Sequence, residues 1–354
     1  MSDLIKKLEN SIENLKEKKC KLFFFVQDTK GNGRASVSYI YNLALTLKNA
    51  GYNSIILHEK SDYFGVQDWL GSEYMEKLEH LSVEGQNLQV SPEDFIFVPE
   101  LFGYIMPQVA NLPCGKVVIC QSYDYIFETL QPGQSWNQFG FLKCITTSEK
   151  MKEYITSAMR NVSVDVIEPL ISEDFSKSEF PQKPVIAIHT REQRDAINFI
   201  KLFYNKFPQY RWISFRDMRG ISRKEFGTIL KDCMVSVWID KESSFGTYPI
   251  ECMKSGVPVI GAIPNLIPEW MNENNGIWIQ DLITIPDLIA DFIQNWLEDN
   301  VSDKIYEGGI LTSEKYSSVE IHEKKITKLF ENLIESRLEN FESEYNKQTQ
   351  EQNV

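Results

Sequence analysis

Apolar residues follow two patterns that alternate along this chain, and these patterns predict its strands and helices. Short apolar runs rich in β-branched and aromatic residues, such as Leu22–Val26, predict buried strands. Between these runs, apolar residues recur every three or four positions, which predicts amphipathic helices. Strands that alternate with helices in this way indicate an α/β protein with parallel sheets covered on both faces. Strands are predicted at 21–26, 54–58, 95–98, 116–120, 143–147, 185–189, 211–215, 233–239 and 257–260.

The order of these elements predicts two Rossmann-like domains. We predict a first domain over residues 1–170, with a leading amphipathic helix at 2–19, and a second domain over 185–318. A polar segment rich in Pro and Ser over 171–184 is the predicted linker, and a charged helix with a disordered tail is predicted over 319–354. Because ligands bind beyond the carboxyl ends of parallel strands, we expect the two sheets to face a central cleft.

Composition argues against several classes of protein. The net charge of −13 makes broad binding to nucleic acid or anionic lipid unfavourable. The longest apolar runs are too short to cross a bilayer, and the charged N-terminal residues lack the apolar core of a secretory signal. The 6 cysteines form no CxxC pair, the 4 histidines have no metal-ligand spacing, and no Asp-x-Asp is present. We therefore expect a cytoplasmic protein with buried, reduced thiols that uses neither a metal ion nor a cofactor.

The stretch Glu242–Gly256 carries the strongest chemical signal. It lies between two predicted strands, so it forms a turn and a short helix that ends at Gly256. Small residues leave the backbone of the turn open, and its N–H groups can face an anion such as a diphosphate together with the helix N-terminus. Glu251 falls about one turn into the helix, within reach of hydroxyls of the same ligand. This is the outline of a site that binds a nucleotide sugar as the donor substrate. Its predicted residues are Ser243, Ser244, Phe245, Gly246, Thr247 and Glu251.

This stretch resembles the signature of the family 4 retaining glycosyltransferases, which have the GT-B fold. The family pattern is an acidic residue, Gly-Phe-Gly, a Glu eight positions after the first acid, and a helix that ends in Gly before Pro-Val-Ile. Phe245, Gly246, Glu251, Gly256 and 258–260 match it. Ser243 stands at the first acidic position, and Glu242 comes one residue too early. The resemblance implies a GT-B α/β fold, sugar transfer with retention, and a Glu251 that holds the ribose of the donor.

Two further loops contain candidates for contact with the donor. Gly31, Gly33 and Arg34 follow the first strand and resemble the glycine-rich loop of the same family, in which backbone approaches a phosphate or sugar. An ordinary turn from strand to helix is the alternative. Arg191 and Arg194 follow the first strand of the second half, where the family carries an Arg and a Lys that neutralise the diphosphate. Here the alternative is a solvated start of a helix.

Acceptor chemistry is expected after the predicted strand 116–120. The family often has a His-Asp pair at this place, and this chain reads Gln-Ser-Tyr-Asp over 121–124. Asp124 is the candidate to orient an acceptor hydroxyl or accept its proton. The alternative is an ordinary loop residue whose hydrogen bonds are made within the protein. His58, at the end of the second strand, is a weaker candidate. The segment 263–281 matches the family in Pro-Glu and Asn-Gly, and we interpret it as scaffold.

The predicted function is sugar transfer from a nucleoside-diphosphate sugar to an unidentified acceptor, with a saccharide or glycoconjugate favoured. The nucleotide sugar is the predicted small-molecule partner. Preorganised N–H and guanidinium groups that face its diphosphate stabilise the charge of the leaving group. A nucleotide-sugar epimerase and a non-catalytic nucleotide-sugar binding protein on the same fold are the rival interpretations. A modified nucleic-acid base is the alternative acceptor, which the acidic balance of the chain disfavours.

Overall fold

The computed structural model describes residues 3–85, 88–178 and 182–352, which form two units. The first unit contains the described residues up to Thr147, the segment Met151–Ile167 and the described residues from Glu320 onward. The second contains Ser148–Lys150 and the described residues of Glu168–Val319. Each unit has one sheet of parallel strands, so the predicted α/β class is confirmed.

The first unit is built on a seven-stranded sheet in the order β3-β2-β1-β4-β5-β6-β7. Its strands are β1 (Lys21–Val26), β2 (Asn53–His58), β3 (Glu79–Ser82), β4 (Phe95–Pro99), β5 (Gly115–Cys120), β6 (Lys143–Thr146) and β7 (Ser163–Val166). The helices along this part of the chain are α1 (Asp3–Lys16), α2 (Ala35–Asn49), α3 (Glu73–Lys77), α4 (Met106–Val109) and α5 (Glu149–Ala158). Five successive residues of β1 are buried, since helices cover both faces of the sheet.

The second unit is built on a five-stranded sheet in the order β12-β11-β10-β8-β9. Its strands are β8 (Lys183–Thr190), β9 (Ser214–Asp217), β10 (Cys233–Ile239), β11 (Val259–Ala262) and β12 (Ile277–Ile279). Its helices are α6 (Gln193–Lys206), α7 (Arg223–Leu230), α8 (Thr247–Lys254), α9 (Ile285–Leu297) and α10 (Asp303–Glu314). The central strand β10 pairs with β8 and β11, so the loops that follow these strands meet at one edge of the sheet.

The last helix, α11 (Val319–Gln352), packs on the first unit although it follows the second in sequence. The ring of Phe330 lies 5.2 Å from that of Phe97 and 6.5 Å from that of Tyr52. The sequence predicted a disordered tail at the end of this segment, whereas the helix continues to Gln352. Before this part of the helix, a 3.0 Å hydrogen bond from Tyr345 to Glu9 joins α11 to α1. Residues 353 and 354 lie outside the described residues, and disorder of the tail stays a prediction.

All six cysteines are buried and unpaired, so the expectation of buried, reduced thiols is confirmed. None of the helices in the described ranges combines the length and apolar character that a membrane crossing requires.

Candidate functional site

The turn between β10 and α8 presents two backbone N–H groups at the start of a helix. Gly246 is the N-cap of α8 and Thr247 is its first residue. Within the described ranges, neither N–H donates a hydrogen bond to another residue of the chain. Because the N-terminus of a helix carries partial positive charge, these two groups are arranged to bind an anion.

Gly246 is required at this turn for two reasons. Its φ of +76° lies in the left-handed region, which side chains other than glycine rarely adopt. A Cβ atom at this position would also lie 3.1 Å from the ring of Trp238 and 3.4 Å from that of Trp270. The tight approach of the two tryptophans therefore fixes the position of the turn.

The two residues before Gly246 support the turn from inside. Ser244 and Phe245 are buried, and the ring of Phe245 packs edge-on against Tyr316 at 5.3 Å. The carbonyl of Phe245 accepts a 2.7 Å hydrogen bond from Nε1 of Trp270. Ser243 and Thr247 are half-buried, so the turn is more open at those two positions.

The segment 263–281 supports the turn before α8 through Trp270 and Asn275. Asn275 is 1% exposed, and its Nδ2 donates to the carbonyl of Trp270 at 2.6 Å and to Thr312 at 3.0 Å. Its Oδ1 accepts from the backbone N–H of Asn272 and from Trp278, each at 3.1 Å. The side-chain amide of Asn275 thus fixes Trp270, and Trp270 supports the turn before α8.

Glu251 lies one turn into α8 and is half-buried. No hydrogen bond or ion pair joins its carboxylate to another residue in the described part of the chain. Burial raises the pKa of this carboxyl to about 7, and the positive charge of Arg223 opposes that rise. The group is therefore placed to exchange hydrogen bonds with a ligand near neutral pH.

The structure separates the two predicted arginines. Arg191 directly follows β8 and is half-buried, and its Nη1 lies 3.8 Å from Oδ1 of Asp240, which directly follows β10. Arg191 therefore belongs to the same sheet edge as the turn before α8. Arg194 lies in the first turn of α6 with its side chain exposed.

Sequence reasoning missed a second polar group at this edge. Nε of Arg219 donates to Oδ1 of Asp217, at the end of β9, at 2.9 Å. His189, at the end of β8, stacks on Tyr248 with ring centroids 4.6 Å apart, and burial lowers its pKa to about 4, with the charge of Arg219 acting in the same direction. The basic run 216–224 was visible in the sequence. Only the pairing of β9 with β8 shows that it borders the predicted donor site.

In the first unit, the predicted glycine loop follows β1. Gly31 has a φ of +81°, and a Cβ there would meet the ring of Phe64 at 4.0 Å. Phe64 is 60% exposed, so an aromatic face lies open beside this loop. Gly33 is half-buried, and Arg34 is exposed directly before α2.

Asp124 lies half-buried in the loop after β5. Its Oδ1 accepts a 2.5 Å hydrogen bond from Oγ of Ser122. The backbone N–H groups of Gln121 and Ser122 both donate to Glu100, a buried residue directly after β4 that sequence reasoning did not single out. A single Glu after an apolar run gives no signal in sequence, because only the pairing of β4 with β5 brings it to the loop.

In the three described ranges, no group of three or more His, Cys, Asp or Glu side chains is placed to hold a metal ion. His58 is 2% exposed, and its Nε2 lies 2.9 Å from Nδ1 of His80. Burial lowers the pKa of His58 to about 3. Its environment is that of a core residue. Independence from metal stays a prediction that activity assays must test.

Comparison with known proteins identifies the fold. No protein-family model and no curated protein matches the sequence. A sucrose-phosphate synthase from Thermosynechococcus elongatus is similar in structure, with a TM-score of 0.65 and 13% identity over 90% of this chain and 100% of that chain. Anabaena HepE in complex with UDP-glucose has a TM-score of 0.65 and 11% identity, over 88% and 99% of the two chains. TarM has a TM-score of 0.63 and 11% identity, over 89% and 98%.

These neighbours are glycosyltransferases with the GT-B fold. The two parallel sheets thus define an α/β protein of two Rossmann-like units. The chain has the GT-B fold, as its resemblance to glycosyltransferases implied.

Proposed function

We propose that this protein transfers a sugar from a nucleoside-diphosphate sugar to an acceptor hydroxyl, with retention and without a metal ion. The observation that carries the proposal is the pair of N–H groups at Gly246 and Thr247, which have no acceptor in the described part of the chain. The fold supports it, because similar structures are glycosyltransferases and one of them, HepE, holds UDP-glucose.

Stabilisation of the leaving group is the main catalytic effect in this proposal. Cleavage of the glycosidic bond places negative charge on the diphosphate, and preorganised donors facing that charge lower the barrier. The N–H groups of Gly246 and Thr247 supply two such donors. Arg191 supplies a guanidinium at the same sheet edge, and Arg194 adds positive charge from the first turn of α6.

Glu251 fixes the donor at its ribose. An ionised carboxylate accepts hydrogen bonds from two neighbouring hydroxyls, and such charge-assisted bonds are stronger than neutral ones. Glu251 and the two open N–H groups belong to one helix, so the ribose and the diphosphate bind in a fixed register. This arrangement orients the anomeric carbon for attack.

On the acceptor side, Asp124 orients the attacking hydroxyl or accepts its proton. A saccharide or glycoconjugate is the acceptor that we propose, because the exposed ring of Phe64 beside Gly31 offers a face on which a sugar can stack. Gly31, Gly33 and Arg34 are proposed as donor contacts on their resemblance to the glycine-rich loop of the family.

The experiment is a screen of nucleoside-diphosphate sugars for thermal stabilisation, followed by assays of hydrolysis and transfer. We expect one donor to stabilise the protein and to be consumed, and Glu251→Ala to weaken its binding about tenfold or more. Glu273→Ala, at an exposed loop position of the same unit, is the matched control. If no donor stabilises the wild-type protein, the proposal is wrong.

Ser243 favours a second candidate, a nucleotide-sugar binding protein without transferase activity, since the family's first acid is replaced there. The nearby carboxylate of Glu242 is contacted by Nδ2 of Asn265 at 3.4 Å. A binding protein would be stabilised by donor yet show neither transfer nor slow hydrolysis. An epimerase on this fold would convert the donor with no acceptor present, so the same assay separates the three functions.

A further inference from the structure

Glu100 joins two neighbouring strands at the carboxyl edge of the first sheet. It directly follows β4 and is 3% exposed. One oxygen, Oε1, accepts hydrogen bonds from the backbone N–H groups of Gln121 at 2.9 Å and Ser122 at 2.8 Å. The side chain therefore fixes the start of the loop that follows β5.

Two other contacts tie this loop to its surroundings. Nε2 of Gln121 donates to the carbonyl of Ser36, in the first turn of α2, at 3.0 Å. A Cβ atom on Gly103 would lie 1.8 Å from Oγ1 of Thr129, so the turn after Glu100 packs directly on the same segment. The loops after β1, β4 and β5 thus form one packed layer.

A short chain of contacts leads from Glu100 to Asp124. Glu100 holds the backbone of Ser122, and Oγ of Ser122 donates to Oδ1 of Asp124 at 2.5 Å. A change in the conformation of the loop would therefore move the carboxylate of Asp124. Glu100 thus acts on the position of Asp124 through the loop.

We propose that Glu100 is a positioning residue, which holds the loop 121–124 in the conformation that presents Asp124 to the acceptor. The inference rests on the proposed function for the role of Asp124, but its structural part does not. Two N–H groups that converge on one oxygen favour an acceptor with full negative charge. Glutamine has the same shape and retains an acceptor oxygen, so it is the conservative replacement.

The charge of Glu100 gives this role a pH dependence. Burial raises the pKa of Glu100 to about 7, the negative charge of Asp124 acts in the same direction, and the two N–H groups oppose it. Burial raises the pKa of the Cys120 thiol, the negative charge of Glu100 acts in the same direction, and this thiol therefore stays protonated. The ionised form accepts the two hydrogen bonds more strongly, so the loop is held more firmly as the pH rises through about 7.

The test compares Glu100→Ala and Glu100→Gln with the wild-type protein, and Glu128→Gln is the control. Glu128 is an exposed carboxylate on the same segment, so its replacement should change nothing. Hydrogen exchange at the N–H groups of Gln121 and Ser122, measured by NMR, reports the hold on the loop. In Glu100→Ala we expect exchange about tenfold faster or more. The kcat for transfer should fall about tenfold while the KM for the nucleotide sugar stays within about twofold.

The conservative variant separates positioning from mere folding. Glu100→Gln should keep most of the exchange protection and of kcat, and its kcat should lose the pH dependence near neutral pH. Unchanged exchange in Glu100→Ala, faster exchange with unchanged kcat, or a wild-type pH profile in Glu100→Gln would each overturn the inference. If the wild-type protein transfers no sugar, the proposed function fails by itself. The exchange measurement then decides whether Glu100 holds the loop.

Discussion

The protein environment changes the pKa of two carboxyl groups, one in each unit. Glu251 lies one turn into α8 and Glu100 directly follows β4, and burial raises the pKa of each carboxyl to about 7. Burial penalises the charged form, and neither group has a partner cation within ion-pair distance in the described ranges. Such groups reduce stability at neutral pH, which is typical of residues kept for function rather than for folding.

Glu251→Gln should therefore change how stability depends on pH. The folded pKa of about 7 exceeds the ordinary value of 4.5, so the folded state binds this proton more tightly than the unfolded chain does. The contribution to the free energy of unfolding is fully present below pH 4.5 and is lost as the pH rises through about 7. Relative to the variant, the wild-type protein should lose about 1–3 kcal/mol between about pH 5 and about pH 8. Urea unfolding at both values measures this, and parallel curves for the two proteins would contradict it.

Gly246→Ala tests the geometry of the turn. The substitution forces a side chain into the left-handed region and against Trp238, so we expect a loss of about 2–4 kcal/mol and weaker binding of nucleoside diphosphate. Gly133→Ala is the matched control, because its φ of +81° is similar and nothing lies within 4 Å of its Cβ position. That variant should lose only about 1–2 kcal/mol, the cost of the backbone conformation. Equal losses in the two variants would show that the contact with the tryptophan is unimportant.

At the scale of elements, the sequence predicted what lies inside the sheets better than what lies at their edges. The strand at Cys233–Ile239 is an apolar run interrupted only by Ser236, and the structure has β10 there. β3 and β7 were missed, because they are short edge strands with polar residues and only partial burial. The turn before α8 was predicted from its small residues, yet its support by Trp270 comes from a segment 25 residues away in sequence. Local patterns do not contain such contacts.

Trp270→Phe tests this support between elements. The variant keeps most of the ring packing but removes the hydrogen bond to the carbonyl of Phe245, which leaves a buried acceptor without a partner. We expect a loss of about 1–3 kcal/mol in unfolding free energy, together with weaker binding of nucleoside diphosphate. Trp212→Phe, at a position that is 50% exposed, is the control and should change neither quantity. Wild-type affinity in Trp270→Phe would argue that the turn holds its shape without the indole.

For the molecule as a whole, the order of elements predicted two Rossmann-like domains, and the resemblance of Glu242–Gly256 to a glycosyltransferase signature implied the GT-B fold. Similarity to solved structures confirmed that fold. The amphipathic pattern of the last helix did not show which unit it covers, because a pattern gives the apolar face and not its partner. The sequence also did not show which polar side chains support the loops of each unit. Glu100 and Arg219 reach their loops only through the pairing of strands that are distant in sequence.

The proposed function depends on a diphosphate that binds the open N–H groups before Glu251, and NMR can observe these groups directly. The measurement follows the backbone N–H signals of Gly246 and Thr247 while UDP is added, with uridine as the control that lacks phosphate. We predict saturable shifts of both signals with UDP and none with uridine. Binding of UDP that leaves both signals unmoved, or the absence of saturable binding of any nucleoside diphosphate, would contradict the account.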